Sequence, residues 1–117
     1  EVALRLFDDG VQPGNIREFL KGVDLYLDGL DFFAVDARRK VFAACAEMGI
    51  PAVTAAPLGM GAALLNFLPG KMTFEEYFRL DGQPVGRDEN AGRPGPVGRR
   101  MYDWYQAFKQ TVMRAGE

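Results

Sequence analysis

Strand-like apolar runs surround one clear helical period in the first half of the chain. Residues 35–48 carry apolar side chains at nearly 3.6-residue spacing, and Gly49 follows as the expected C-terminal cap. Runs of strand-forming residues lie at 2–7, 24–28 and 52–56. Short connections between alternating strands and helices predict an α/β fold in which βαβ units build a parallel sheet.

Two shorter helices are predicted from their first turns. Asn15 precedes an apolar stretch and has Glu18 three residues later, and Thr73 stands in the same relation to Glu76, as in a capping box. Between these helices, the apolar run 58–68 is compatible with a strand or a buried helix. The Pro-Gly pair after it favours a strand that ends in a turn.

The same patterns predict which residues of the second strand are buried and how the chain divides into parts. In the second strand, Leu25 and Leu27 are expected to be buried, with Tyr26 toward the opposite layer. Along the chain we expect three parts, which are an α/β unit, a loop rich in Gly, Pro and charge, and a C-terminal amphipathic helix, at residues 1–80, 81–99 and 100–117.

Composition narrows the classes of partner. The 14 basic and 16 acidic residues nearly cancel to a net charge of −2, and Arg99 and Arg100 have no wider basic patch, so no nucleic-acid partner is expected. There is no histidine for catalysis or metal binding. No apolar run is long enough to cross a membrane and no signal peptide is visible. The single cysteine, Cys45, fits a reducing compartment, and the expected location is the cytoplasm.

Two aspartates at the end of the second predicted strand are the main candidate site. Asp28 and Asp31 lie three residues apart, just before the predicted helix 35–48. Ligands of open α/β sheets bind at the carboxyl ends of strands, where a carboxylate can meet a metal, a phosphate or a ribose. The alternative is structural, a strand-end turn in which an aspartate caps the next helix.

Four segments in order resemble a known enzyme family. They are Asp28-Gly-Leu-Asp31, then Ala37-Arg38-Arg39, then Gly49-Ile-Pro-Ala-Val-Thr-Ala-Ala56, and finally Met72-Thr-Phe-Glu-Glu-Tyr-Phe78. Their order and spacing resemble the ThiF/MoeB/HesA adenylyltransferases, which are bacterial relatives of ubiquitin-activating enzymes. The resemblance covers roughly residues 1–80.

The resemblance implies a Rossmann-like fold and an adenylation activity that uses ATP and Mg²⁺. The substrate carboxylate is then the C-terminus of a ubiquitin-like or sulfur-carrier protein, and family members are commonly homodimers. By the same resemblance Asp31 is a catalytic residue near the magnesium triphosphate, and Arg38 matches the family arginine if a two-residue insertion is allowed. Asp28 and Gly59 are then expected beside the nucleotide.

Three features depart from the family pattern. Phe32 replaces the usual Asn or Ser, the Cys-x-x-Cys zinc pairs are missing, and so are the Gly-x-Gly-x-x-Gly phosphate loop and its ribose-binding acid. Because the family places that loop earlier, the chain is expected to be the second half of the adenylation domain. The start at Glu1, within strand-like sequence, also suggests a trimmed or proteolytic fragment, which alone should be inactive.

Several residues keep a second interpretation. Arg38, Arg39 and Lys40 could form a basic cluster facing a nucleotide, or Arg39 and Lys40 could be ordinary solvated helix residues. Cys45 could form a thioester or persulfide, but its place on the apolar helix face favours a buried, inert thiol. Gly59 could belong to a phosphate loop or to tight backbone packing after a strand.

Two other functions compete with adenylation. The first is a degenerate Rossmann-like binding or scaffold module without catalysis, which the missing phosphate loop supports. The second is a fragment of a nicotinamide-dependent oxidoreductase. The absence of histidine and of a Tyr-x-x-x-Lys pair counts against an oxidoreductase.

Overall fold

The computed structural model describes residues 1–31, 34–58 and 61–80, together with residues 103, 106 and 107. Its elements in chain order are α1 (Ile16–Phe19), β1 (Tyr26–Asp28), α2 (Val35–Met48), β2 (Ala52–Leu58), β3 (Gly61–Phe67) and α3 (Phe74–Phe78). The loop predicted at 81–99 and the helix predicted at 100–117 lie outside the described residues, apart from those three isolated positions.

The strands form one three-stranded sheet in the order β1-β2-β3. β1 and β2 are parallel, with Tyr26 opposite Ala52, and α2 connects them, which confirms the predicted βαβ unit and the α/β class. β3 is antiparallel to β2, with Phe67 opposite Ala52. The sheet is therefore mixed rather than wholly parallel, because a two-residue connection can join only antiparallel neighbours.

β2 is longer than the predicted strand 52–56 and extends to Leu58. Pro57 falls inside it and is paired with Ala62 of β3. Proline cannot donate a ladder hydrogen bond and is tolerated where a strand has a neighbour on one side only. Within the described residues that condition holds at Pro57, since β1 ends at Asp28, which is opposite Thr54.

α2 confirms the helix predicted at 35–48 in both its bounds and its buried face. Val35, Val41, Phe42 and Cys45 are buried against the sheet and α3, as their spacing requires. Gly49 ends the helix with φ of 70°, a left-handed conformation in which glycine has no steric penalty. One buried position of α2, Arg38, is charged.

The predicted face of β1 is wrong. Leu25 and Leu27 are 49% and 69% exposed, whereas Tyr26 is 6% exposed and packs edge-on against Phe42 of α2 at 5.7 Å. The predicted alternation of side chains between the two faces was correct, but α2 covers only one face of the sheet. The aromatic residue takes that face, since its ring fills more of the space below the helix.

Two predictions near the N-terminus also fail. Residues 2–7 form no strand, and Val2, Leu4 and Leu6 are largely exposed. Instead, the Arg5 guanidinium donates to the carbonyl of Phe19 at 3.1 Å, which satisfies an acceptor at the end of α1. Asn15 makes no capping bond, because its side chain bridges the preceding turn, accepting from the amide of Gln12.

The capping box of α3 is confirmed. The amide of Glu76 donates to Thr73 Oγ1 at 3.2 Å, and the amide of Thr73 donates to Glu76 Oε2 at 2.8 Å. This places Phe74 in the first turn, where its ring stacks on Phe42 at 4.5 Å. The capped helix therefore closes the core beside α2, and none of the described helices covers the other face of the sheet.

Candidate functional site

The candidate site begins where β1 ends. Asp28 is the last residue of β1 and lies opposite Thr54 of β2 in the parallel register. Both residues are on the face of the sheet that α2 covers. Arg38, in the second turn of α2, reaches down to this same point. The arrangement brings together two of the residues that the sequence singled out, Asp28 and Arg38.

Asp28 uses both of its carboxylate oxygens. Its Oδ2 accepts from Arg38 Nε at 2.9 Å. Its Oδ1 accepts from the Tyr26 hydroxyl at 3.1 Å and from the amide of Leu30 at 3.2 Å. The bond to Leu30 is an Asx turn, so the carboxylate holds the backbone that leads away from the strand. Asp28 therefore has its acceptors engaged by the protein itself.

Arg38 is buried as deeply as its partner. Its side chain is 5% exposed and that of Asp28 is 1% exposed. Nη2 of Arg38 also donates to Thr54 Oγ1 at 3.1 Å, and the guanidinium carbon lies 5.4 Å from the centre of the Phe74 ring. A buried charge needs this kind of partner set, because removing one member of a buried ion pair costs about 3–5 kcal/mol.

Tyr26 completes the cluster as a donor. Burial raises the pKa of its phenol, and the neighbouring Asp28 carboxylate raises that pKa further. Both effects disfavour the tyrosinate, so the hydroxyl keeps its proton and donates to Asp28. Tyr26, Asp28, Arg38 and Thr54 are referred to below as the buried polar cluster. Within the described residues, no buried side-chain nitrogen or oxygen is without a hydrogen-bond partner.

Asp31 lies next to this cluster but has a different environment. It is exposed, and it follows Leu30, whose amide Asp28 holds. Its own carbonyl accepts from the amide of Ala34 at 3.0 Å, which leads the chain into α2. The N-cap residue of α2 is Ala34, so neither aspartate occupies the capping position that the structural alternative predicted.

The donor chemistry around Asp31 fits magnesium bound to a nucleotide. Within the described residues, no group of three or more acidic, cysteine or histidine side chains could hold a metal ion by itself. Mg²⁺ does not need such a cage, because it is commonly bound through one or two carboxylates, with waters and substrate phosphates as its other ligands. Asp31 is an exposed carboxylate just beyond this end of β1, and Gly59 lies outside the described residues.

The other basic residues of α2 have separate partners. Arg39 forms two parallel bonds with Glu75 of α3, at 2.5 and 2.6 Å, and both side chains are partly buried. The prediction that Arg39 is an ordinary solvated residue is therefore wrong. Lys40 fits that prediction better, since it pairs with Asp36 one turn away on the exposed face.

Cys45 is the buried thiol that its sequence position favours. It is 1% exposed, and burial raises the pKa of its thiol to about 11. Because the thiolate is the reactive form, such a cysteine is a poor nucleophile at neutral pH. The geometry gives no support to the thioester or persulfide alternative for Cys45.

Comparison with protein families adds to this geometry. The model of the ThiF family matches residues 1–94 of the 117-residue chain. The chain belongs to the ThiF family. No curated protein and no solved structure matches the chain significantly. In the part of the chain that the structure describes, no helix is long and apolar enough to cross a membrane.

Sequence reasoning missed two members of the buried polar cluster. Tyr26 and Thr54 were assigned only to strands, although their hydroxyls satisfy Asp28 and Arg38. The sequence did contain a signal for Tyr26. Tyr26 and Asp28 are two residues apart on one strand, so their side chains share a face of the sheet. The partner Thr54 could be found only once the register of β1 against β2 was known.

Proposed function

We propose that this ThiF-family chain forms part of an ATP-dependent adenylyltransferase that activates a carboxylate as an acyl adenylate. The observation that supports it best is the exposed Asp31 at the carboxyl end of a parallel strand, on a turn fixed by buried groups. This is the position at which open α/β sheets bind nucleotides. Family membership supports the type of reaction.

Adenylation requires that the negative charge on the departing pyrophosphate be stabilised. An oxygen of the substrate carboxylate forms a bond to the α-phosphorus of ATP, and the bond from that phosphorus to the bridging oxygen of pyrophosphate breaks. The electron pair leaves with pyrophosphate. Bound Mg²⁺ supplies positive charge that stabilises this leaving group. Asp31 is the residue of this chain that we propose holds the metal.

Arg38 and Asp28 belong to the same proposed site in different ways. Arg38 carries the positive charge that the resemblance assigns to adenylation, but Asp28 accepts from it at 2.9 Å and neutralises much of that charge. Asp28 has both oxygens occupied, so it is a poor metal ligand in this state. We assign direct metal contact to Asp31, because it is exposed just beyond the end of β1 and matches the family aspartate, while Asp28 supports the nucleotide-binding turn from behind.

The proposal includes partners and location. The carboxylate substrate is the C-terminus of a ubiquitin-like or sulfur-carrier protein, the active form is a homodimer, and the protein works in the cytoplasm. These assignments come from the resemblance to the family together with the single free cysteine.

ATP–pyrophosphate exchange tests this function. The full-length gene product is incubated with ATP, Mg²⁺, labelled pyrophosphate and candidate carrier proteins. We expect label to enter ATP only when a carrier with a free C-terminal carboxylate is present, and a carrier with an amidated C-terminus is the matched control. Exchange that is independent of the carboxylate, or hydrolysis to ADP alone, contradicts the proposal.

A binding module without catalysis is the second candidate, and one observation favours it. The face of the sheet opposite α2 is apolar and open, with Leu27 and Leu64 69% and 62% exposed. Such a face can be a docking surface for another protein. Failure of ATP·Mg²⁺ to bind the full-length gene product, with the fold intact, would make this candidate the better one.

A further inference from the structure

The buried polar cluster is connected to the candidate site through one backbone amide. Asp28 accepts from the amide of Leu30, and Leu30 immediately precedes Asp31. On its other side, Asp31 is held by its carbonyl, which accepts from the amide of Ala34. The backbone of Asp31 is therefore fixed from both directions, and one of the two fixing contacts depends on the orientation of Asp28.

The orientation of Asp28 depends in turn on two buried hydroxyls, those of Tyr26 and Thr54. The Tyr26 hydroxyl donates to Asp28 Oδ1, the same oxygen that accepts from Leu30. Thr54 Oγ1 accepts from Nη2 of Arg38, whose Nε donates to Asp28 Oδ2. Tyr26 and Thr54 are 6% and 8% exposed. Tyr26 therefore acts directly on Oδ1 of Asp28, and Thr54 acts on Oδ2 through Arg38.

A buried ionic cluster is weak evidence for stability, because apolar residues of similar volume often pack as well or better. Conformational specificity is an alternative reason for such a cluster to exist. Here the cluster joins three elements, β1, β2 and α2, and it is bonded to the turn beyond β1 through the amide of Leu30. Its geometry is thus set by the sheet register and transmitted to the turn.

We infer that Tyr26 and Thr54 are positioning residues for Asp31, acting through Asp28 and Arg38. The inference rests on the proposed function, since it assigns them to the metal-binding step of the same site. Neither residue touches the nucleotide. Their hydroxyls hold Asp28 in the rotamer that fixes the Leu30 amide, and so determine where the Asp31 carboxylate meets Mg²⁺.

Two nearly isosteric substitutions test this role in the full-length gene product. Tyr26→Phe and Thr54→Val remove one hydroxyl each with little change in volume. Thr54→Ser keeps the hydroxyl and is the rescue variant. Ile50→Val is the matched control, because Ile50 is buried just before β2 and is not a member of the cluster. Urea unfolding confirms that every variant is folded under the assay conditions.

Two measurements separate positioning from general destabilisation. The first is the Mg²⁺ dependence of ATP binding by calorimetry, with ATP alone in chelator as the reference. We expect Tyr26→Phe and Thr54→Val to weaken the apparent Mg²⁺ affinity at least about fivefold, the low end of coupling between separated groups. ATP binding without metal should be the same in every variant as in the wild type. Thr54→Ser and Ile50→Val should also keep the wild-type apparent Mg²⁺ affinity.

The second measurement is hydrogen exchange of the Leu30 amide, which does not depend on any activity. We expect faster exchange in Tyr26→Phe and Thr54→Val than in Ile50→Val. If the wild-type protein shows no Mg²⁺-dependent ATP binding, the proposed function fails. Leu30 exchange then still decides whether the hydroxyls position the turn. Wild-type Leu30 exchange in both folded variants overturns the inference. If one variant does not fold, the other decides alone.

Discussion

Asp28 and Asp31 are three residues apart, yet the fold gives them opposite environments. The side chain of Asp28 is 1% exposed and accepts from Arg38, Tyr26 and Leu30, whereas Asp31 is exposed. The difference arises because β1 ends at Asp28, whose side chain still points to the covered face of the sheet. One turn later the chain has left that face.

The first prediction concerns the stability that Asp28 provides. Asp28→Asn leaves the buried Arg38 charge without its counterion, so we expect the free energy of unfolding to fall by about 3–5 kcal/mol. Asp36→Asn is the matched control, because Asp36 pairs with Lys40 on the exposed face of the same helix. Asp36→Asn should lower the free energy of unfolding by no more than about 0.5 kcal/mol. Urea unfolding of the two variants measures the difference, and equal losses would disprove the assignment.

The second prediction concerns the pH dependence that Cys45 introduces. Burial raises the pKa of the folded thiol from the ordinary value of 9.0 to about 11. The folded state therefore holds this proton more tightly than the unfolded chain between these values. The resulting stability is fully present below pH 9 and is lost as the pH rises toward 11.

Unfolding free energies measured from pH 8 to 11 check this second prediction. We expect a decline for the wild type above about pH 9 and a shallower decline for Cys45→Ala. Tyr26 contributes in the same direction above its own ordinary pKa of 10.0, so some slope remains in the variant. Identical slopes for the two proteins would mean that the thiol titrates alike in both states.

At the scale of elements, sequence patterns predicted well those features that are set locally. The helix at 35–48 has a regular period and a glycine stop, and the capping box of Thr73 and Glu76 satisfies donors within one turn. Both features depend only on neighbours along the chain. The antiparallel direction of β3 was not predicted, because the two-residue connection that requires it is known only from the strand bounds in the structure.

Features that depend on distant partners, or on a choice between competing local bonds, were not predictable in the same way. Alternation at Leu25, Tyr26 and Leu27 fixes two faces of a strand but not which of them a helix covers. Asn15 has the right residue type for a cap, yet the turn before it offers competing bonds. In the candidate site, Asp28 and Arg38 could be found from sequence, while Thr54 required the register of β1 against β2.

The third prediction concerns the link between α2 and α3. Arg39 and Glu75 form a two-bond ion pair with side chains 16% and 24% exposed, whereas Arg17 and Glu47, which join α1 and α2, are 73% and 64% exposed. The more shielded pair should have the larger coupling free energy, about 1 kcal/mol, and the exposed pair close to zero.

Double-mutant cycles measure both couplings. Arg39→Met with Glu75→Gln forms one cycle, and Arg17→Met with Glu47→Gln forms the matched control. Equal coupling free energies in the two cycles would argue that the ion pair of Arg39 does not stabilise the packing of α3 on α2. α3 also contributes Phe74 to the face of Arg38, so a loosened α3 should weaken the buried polar cluster as well.

At the scale of the whole molecule, the part of the chain that the structure describes leaves the sheet with one covered and one open face. α2 and α3 cover the face that includes Tyr26 and Phe67, while Leu27 and Leu64 point to the other side and are mostly exposed. Among the described strands, β1 is at the edge of the sheet beside this open face. An open apolar face next to an open edge favours association.

The fourth prediction is therefore self-association through the open face. We expect the protein to sediment as a dimer or larger assembly at high concentration, and the double variant Leu27→Lys/Leu64→Lys to shift it to the monomer. Leu4→Lys is the matched control, because Leu4 is 77% exposed but lies outside the sheet. A wild-type monomer at all concentrations would show that this face is stable in water as it stands.

The central claim is that Asp31 holds the metal while Asp28 holds the turn. It is tested most directly by ATP–pyrophosphate exchange with Asp31→Asn and Asp28→Asn in the full-length gene product, each rate divided by the folded fraction. We predict that the folded Asp31→Asn protein loses about a hundredfold or more in exchange rate, since several kcal/mol of transition-state stabilisation are removed. Asp28→Asn should lose mainly stability. Near-normal exchange by a folded Asp31→Asn protein would contradict the account.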